Sequence, residues 1–184
     1  MSRRFDVREH LPEIDLIEDD DLKGKVIAVW EDLWQRSAWE RPEDVPISQE
    51  IPYPHLPHNR CVVVMALVIA DAFERFHGVL VDRDLLIAAG LLQDVSKLVE
   101  MKPGDEGEAL NTEIGSLFPH AFWGSHVAIQ HGLPLSICEI ILDHTPQAAR
   151  FPRTLEGKIL YYADQLDILA VFGDRWQKEL FITK

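Results

Sequence analysis

The stretch LIAAGLLQDVSKL, residues 86–98, decides the fold of this chain. Its apolar residues recur at helical spacing and predict a helix over 83–99. Asp94 lies inside this apolar pattern, because glycine and leucine residues one turn away on each side surround it. A carboxylate in an apolar interior is costly unless it is paired. The stretch therefore predicts a buried helix that carries a functional carboxylate.

Helical spacing recurs in the rest of the chain. The three valines at 62–64 have the composition of a strand, but the apolar pattern continues beyond them, and a length of about 18 residues favours a buried helix. Five prolines within 41–57 exclude a regular helix there and predict an extended connection. We expect an all-α helical bundle in a single domain over 1–184, with an N-terminal helix and the proline-rich connection in 1–57 and the helical core in 58–172. The predicted helices are 22–39, 58–76, 83–99, 120–131, 134–145 and 154–172, and a long loop over 101–118 is expected to form a lid or to face a substrate.

The charge of the chain limits its partners. Asp and Glu number 31 against 18 Lys and Arg, which gives a net charge of −13. Nucleic acids and anionic membranes bind clustered positive charge, so neither is expected as a partner, whereas a small-molecule substrate is consistent with this composition. Cys61 and Cys138 lie in apolar stretches and are expected to be buried free thiols. The N-terminus has no apolar segment typical of a signal peptide, and the longest apolar runs are shorter than a membrane span, so we expect a cytoplasmic protein.

Histidine and aspartate side chains lie on the apolar faces of several predicted helices. His144 continues the stripe formed by Ile137, Ile140 and Ile141, and Asp164 lies between apolar residues one turn away on each side. A single histidine on an apolar face is more often a core residue with a hydrogen-bond partner than a metal ligand. Several imidazoles together with two buried carboxylates are explained most simply by a divalent metal, because a metal binds neutral imidazole and ionised carboxylate together.

Five segments in this order resemble the HD-domain superfamily of metal-dependent phosphohydrolases. That family is named for a His-Asp pair at the end of a buried helix, and the corresponding residues here are Gln93 and Asp94. The resemblance covers roughly residues 55–170 and implies an HD-type helical bundle. The segments are HNRCVVV with His58, LLQDVSK with Gln93 and Asp94, PHAFWGSH with His120, LDHTP with His144, and YYADQLD with Asp164.

The resemblance also implies a cofactor and an activity. The cofactor would be one or two divalent ions of iron, manganese, zinc, cobalt or nickel. Lys97 would hold an anionic group of the substrate, although a solvated cation at the end of a helix is an equal alternative. The activity would be hydrolysis of a small molecule, a phosphate ester or nucleotide-like compound, with Asp94 or a residue behind the ligands handling the proton. The implied ligands are His58, Gln93, Asp94 and Asp164 for a first ion, and Asp94, His120 and His144 for a second.

Gln93 is the position where this sequence departs from the family. An amide oxygen is a weaker ligand than imidazole for iron, zinc or manganese, and His55 lies close enough to His58 in the sequence to be a substitute. The alternatives to a hydrolase are a catalytically degenerate HD-type protein that binds a ligand or regulates a partner, and a hydratase or oxygenase on the same fold. Retention of five costly buried polar groups favours catalysis. Aromatic residues at helical spacing are expected in the core or in a homodimer interface.

Overall fold

Residues 5–171 are described by a computed structural model, and they form a helical bundle with one small hairpin. The all-α prediction is confirmed. Each predicted helix occurs within a few residues of its expected ends, except that the one over 83–99 is divided; Phe172, the last residue predicted for the core, lies outside the described residues. The helices are α1 Val7–His10, α2 Asp20–Arg36, α3 His55–His77, α4 Arg83–Leu92, α5 Lys97–Glu100, α6 Glu113–Leu117, α7 Phe122–Gln130, α8 Leu135–Asp143 and α9 Leu155–Val171, and the strands are β1 Met101–Pro103 and β2 Ala109–Asn111. Short 3₁₀ turns span Pro12–Leu16 and Pro42–Asp44.

The central helix of the bundle is α4. It packs against α2, α3, α8 and α9, and its residues 86–92 are all buried. Gly90 permits a close approach of the neighbouring helices, since a Cβ there would lie 2.9 Å from Cγ2 of Val63 on α3 and 3.2 Å from Cδ1 of Leu160 on α9. Because α3 and α9 also pack against each other, they enclose the end of α4.

The predicted helix over 83–99 is two helices, α4 and α5, separated by a tight turn at 93–96. The carbonyl of Leu91 leaves the helical pattern because it accepts hydrogen bonds from Nε1 of Trp30 at 3.0 Å and from Nδ2 of Asn59 at 3.2 Å. The amides that follow bond to carbonyls three residues back instead of four. Sequence periodicity missed this break because both donors come from other helices, α2 and α3.

The proline-rich connection between α2 and α3 is largely extended, as predicted. It folds back on itself through an antiparallel bridge between Pro46 and Pro54. Just before the connection, Nε1 of Trp39 donates to the Met101 carbonyl at 3.0 Å, and within it Nε2 of Gln49 donates to the Ala109 carbonyl at 3.0 Å. These two bonds hold the hairpin against the N-terminal part of the chain.

The segment over 101–118, predicted as a loop, is ordered as the hairpin and α6. β1 and β2 pair antiparallel with Met101 opposite Asn111. Gly107 turns the chain at the tip with φ of 85°, a left-handed backbone that glycine adopts without a steric cost. The role of this segment as a lid stays a prediction.

The outward face of α3 differs from two expectations. The helix has 23 residues and contains a window of mean hydropathy 1.4, so by length and composition it could cross a membrane. The core helix of a folded domain passes the same test, and α3 packs on α4 and α9. Cys61 lies on the outward face and is exposed, so the expectation that it is buried was wrong, whereas Cys138 on α8 is buried.

Candidate metal centre

Asp94 lies at the meeting point of three imidazoles. Its Oδ1 is 2.9 Å from Nε2 of His120 and 3.6 Å from Nε2 of His144, and its Oδ2 is 3.3 Å from Nε2 of His58. Each imidazole therefore presents the same ring nitrogen to this buried carboxylate. The prediction that His120 and His144 come within ligand reach of each other is confirmed, since their ring centroids are 5.3 Å apart and their donor atoms belong to one group.

Asp164 on α9 extends the cluster on the side of His58. Its Oδ1 lies 3.1 Å from Nε2 of His58. Two groups of possible metal donors result, each with all its donor atoms within 4.8 Å of one another, and Asp94 belongs to both. The structure thus brings together five of the six residues predicted as ligands. The groups are His58, Asp94 and Asp164, and Asp94, His120 and His144.

The outer nitrogen of each imidazole has its own acceptor. Nδ1 of His58 lies 2.6 Å from Oδ2 of Asp167, and Nδ1 of His120 lies 3.0 Å from Oε2 of Glu100. Nδ1 of His144 donates to a main-chain carbonyl three residues back in α8 at 2.7 Å. Metal-binding histidines use their second ring nitrogen in this way, because the outer bond fixes the tautomer and the ring orientation.

Sequence reasoning missed the two carboxylates behind these imidazoles. Asp167 follows Asp164 by three residues on α9, and Glu100 follows Lys97 by three residues on α5. Each therefore lies one helical turn from a residue that was predicted. That spacing is the signal by which they could have been found.

The charges of the cluster shift the pKa values of its members. Burial raises the pKa of Asp94, but the charge of Lys97 and hydrogen bonds from the imidazoles outweigh burial and hold this pKa well below its usual range. Burial lowers the pKa of His58, whereas its carboxylate partners raise it well above 6.5. Burial likewise opposes ionisation of both members of the Glu100–His120 pair. Their attraction nevertheless lowers the pKa of Glu100 to about 2 and, together with Asp94, raises that of His120 to about 9 against burial and the Lys97 charge.

Lys97 on α5 lies beside the same cluster. Its Nζ is 3.2 Å from Nδ1 of His120, and the residue is 9% exposed. The alternative expectation of a solvated cation at the end of a helix is therefore wrong. An ammonium group here is positioned to bind an anionic group that approaches Asp94.

Gln93 is fully buried, and neither atom of its amide has a hydrogen-bond partner within residues 5–171. The same is true of both ring nitrogens of His55, of Oδ1 of Asn59 and of Oγ of Ser96. A buried polar atom without a partner costs about 1–3 kcal/mol, so a concentration of such atoms in these two adjoining segments indicates that a polar or charged ligand binds nearby.

A divalent metal fits these residues. Imidazole, carboxylate and amide oxygen are suitable donors for first-row divalent ions. A metal would satisfy Nε2 of His58, which has no hydrogen-bond partner, and Oε1 of Gln93. His55 belongs to neither donor group found among the described residues, so the structure does not support its direct substitution for a ligand.

His120 lies in the turn that precedes α7, not on the helix as predicted. The next residue, Ala121, has φ of 67° and ψ of −12°, a left-handed backbone that side chains other than Gly and Asn rarely adopt. Such strain is concentrated at functional sites, and here the Ala121 amide donates to Oε1 of Glu100 at 3.3 Å. Gly124 then lets α7 approach closely, because a Cβ there would lie 3.2 Å from Cγ1 of Val95.

Comparisons with known proteins agree with this fold and site. The HD domain family model matches residues 58–169, more than half of the chain, and the chain therefore belongs to the HD domain family. It is also similar to dihydroneopterin 2',3'-cyclic phosphate phosphodiesterase of Methanocaldococcus jannaschii, with 29% identity over 114 residues. The match covers 60% of this chain and 44% of the relative, so the chain spans less than half of the relative's length. No solved structure matches the chain.

Proposed function

We propose that this chain is a metal-dependent phosphohydrolase that acts on a small phosphate ester, with a cyclic phosphodiester of a nucleotide-like compound as the first candidate. The observation that carries the proposal is the position of Asp94, shared between two donor groups whose imidazoles are each held from behind. Membership of the HD domain family supports the same reaction class. So does the similarity to a protein named as a cyclic phosphate phosphodiesterase.

In this proposal the two donor groups hold two divalent ions, and Gln93 joins the first group through its amide oxygen. Iron, manganese, zinc, cobalt and nickel all suit such donors. When bound, the ions supply Lewis acidity and a lowered pKa of water. The first position is formed by His58, Gln93, Asp94 and Asp164, and the second by Asp94, His120 and His144.

Two residues of the chain are assigned to catalysis. Asp94 stays ionised because its pKa is depressed, so it can hold positive charge at the reacting phosphate. Lys97 binds a phosphate oxygen with its ammonium group, in a largely buried setting where such an ion pair is stronger than in water. In the reaction the oxygen of water forms a bond to phosphorus, one ester P–O bond breaks, and a proton passes to the leaving oxygen.

The expectations on partners and location are retained as proposals. A net charge of −13 favours a small-molecule substrate over nucleic acid or an anionic membrane. A cytoplasmic location and a single domain over 1–184 agree with this composition. A homodimer is an additional proposal, supported by the outward face of α3, where Val64 and Val68 are 48% and 61% exposed.

The test is hydrolysis followed by phosphorus NMR. The metal-loaded chain should convert a 2',3'-cyclic nucleotide to a monoester, and EDTA or Asp94→Asn should abolish the conversion. Asp20→Asn makes the same change at a 95% exposed side chain and should retain full activity. A chain that binds metal at this centre but hydrolyses none of a panel of cyclic and acyclic phosphate esters would be a degenerate member of the family, and the proposal would be wrong.

A further inference from the structure

Gln93 can serve the proposed metal centre only if its amide is oriented. A carboxamide binds a cation through its oxygen, so Nε2 must point away from the ion and donate to an acceptor of its own. Each imidazole of the centre has such an outer partner. The amide of Gln93 has none within the described part of the chain, and the residue is fully buried. Its acceptor must therefore be a buried neighbour, because water cannot reach it.

Two residues with unpaired polar atoms border the end of α4. His55 and Asn59 lie one turn apart on α3, and Nδ2 of Asn59 donates to the Leu91 carbonyl at 3.2 Å. Nε1 of Trp30 donates to the same carbonyl at 3.0 Å, and the Trp30 ring stacks on the His55 ring with centroids 5.7 Å apart. His55 and Asn59 thus flank the segment that leads directly into Gln93.

His55 is the better acceptor of these two. The amide of Asn59 is already fixed by its bond to Leu91, whereas both ring nitrogens of His55 are unpaired. Burial lowers the pKa of His55 to about 4, so the ring is neutral at physiological pH and keeps one nitrogen with a free lone pair. The ring is also close enough to Asp94 and His58 for their charges to act on it, which places it at the edge of the centre.

We propose that a ring nitrogen of His55 accepts a hydrogen bond from Nε2 of Gln93 and thereby directs Oε1 of Gln93 to the first metal position. This inference rests on the proposed metal centre and makes His55 a positioning residue, as Asp167 is for His58. One bond satisfies two groups that are otherwise unpaired, and it explains why His55 lies outside both donor groups.

This arrangement makes the two metal positions chemically different. With Gln93 the first position has one imidazole and three oxygen donors, whereas the second has two imidazoles and one carboxylate. Oxygen-rich sites suit manganese, and imidazole-rich sites suit zinc. The first position is therefore expected to hold Mn²⁺ in preference to Zn²⁺.

Calorimetric titration of the full chain with Mn²⁺ tests the proposal. Gln93→Leu should weaken one of two binding events about tenfold or more, the usual effect of losing a ligand or its outer partner. His55→Phe keeps a ring against Trp30 but removes the acceptor, and it should weaken the same event to a similar extent. Because both changes remove one interaction, the double variant should bind no more weakly than Gln93→Leu. His55→Gln restores an acceptor and should recover most of the affinity.

A matched control and a measurement on the unchanged protein complete the test. His126→Phe makes the same substitution in a ring that packs beside Trp123, at 5.2 Å between centroids, and should leave both binding events unaltered. In the zinc-loaded protein the Gln93 side-chain amide protons, assigned by their absence in Gln93→Leu, should show a nuclear Overhauser effect to the His55 ring.

Three results would overturn the inference: no contact between these protons, unchanged Mn²⁺ affinity in His55→Phe, or effects that multiply in the double variant. These readouts do not depend on activity. A chain that binds Mn²⁺ as described but hydrolyses no phosphate ester refutes the proposed function and leaves the role of His55 standing. Activity with two equivalent metal positions does the reverse.

Discussion

The pair formed by Glu100 and His120 gives a defined pH dependence of stability in the metal-free protein. Their charges raise the pKa of His120 to about 9 and lower that of Glu100 to about 2. The contribution of His120 is fully present below its unfolded pKa of about 6.5 and is lost as the pH rises through 9. The contribution of Glu100 is present above about 4.5 and is lost as the pH falls through 2. The pair should therefore stabilise the fold most between about pH 4.5 and 6.5.

Glu100→Gln removes the charge and keeps the size of the side chain. A shift of 2.5 units in the pKa of His120 corresponds to at most about 3 kcal/mol at 1.36 kcal/mol per unit. Asp94 supplies part of that shift, and the imidazole is 23% exposed, so we assign about 2 kcal/mol to Glu100. The variant should thus lose about 2 kcal/mol at pH 6 and much less at pH 9.5.

Urea denaturation in the presence of EDTA, at intervals from pH 5 to 9.5, measures this difference. The two proteins are compared at each pH because His58 also has a raised pKa and titrates in both. A destabilisation by Glu100→Gln that is the same at pH 6 and pH 9.5 would refute the reasoning, since it would mean that the carboxylate contributes packing alone.

Three further changes have expected outcomes. Asp164→Ala should lower metal content, measured by elemental analysis, far more than it lowers the thermal midpoint of the metal-free protein; full metal retention would make Asp164 a structural carboxylate. Lys97→Met should weaken inhibition by inorganic phosphate and raise KM more than it lowers kcat, and an unchanged KM would remove Lys97 from the substrate site. Gly90→Ala should cost about 1–3 kcal/mol in urea denaturation, because the added methyl would lie 2.9 Å from a carbon of Val63; a stability equal to that of the unchanged chain would show that α3 can move away.

Those parts of the centre that depend on helical spacing were predictable from the sequence. His144 follows three isoleucines on one face, and Asp164 lies between apolar residues of α9, so both were expected to point into the core and are buried. Asp94 was found in the same way. The order of these residues along the chain then carried the family resemblance.

The parts of the centre that depend on contacts between distant segments were not predictable. The break after α4 depends on two donors to the Leu91 carbonyl from α2 and α3. The position of His120 before α7 depends on the left-handed backbone of Ala121, which alanine adopts only where the surrounding structure imposes it. Glu100 could be assigned only after α5 had been separated from α4, because a continuous helix would have placed it on another face.

Anomalous diffraction from crystals of the Mn²⁺-loaded protein tests the central claim most directly. The account predicts two anomalous peaks on either side of the Asp94 carboxylate, each about 2.0–2.3 Å from its donors, the usual range for nitrogen and oxygen ligands of first-row ions. One peak should contact His58 and Asp164, and the other His120 and His144. A map without a peak at Asp94, from protein that binds Mn²⁺ elsewhere, would contradict it.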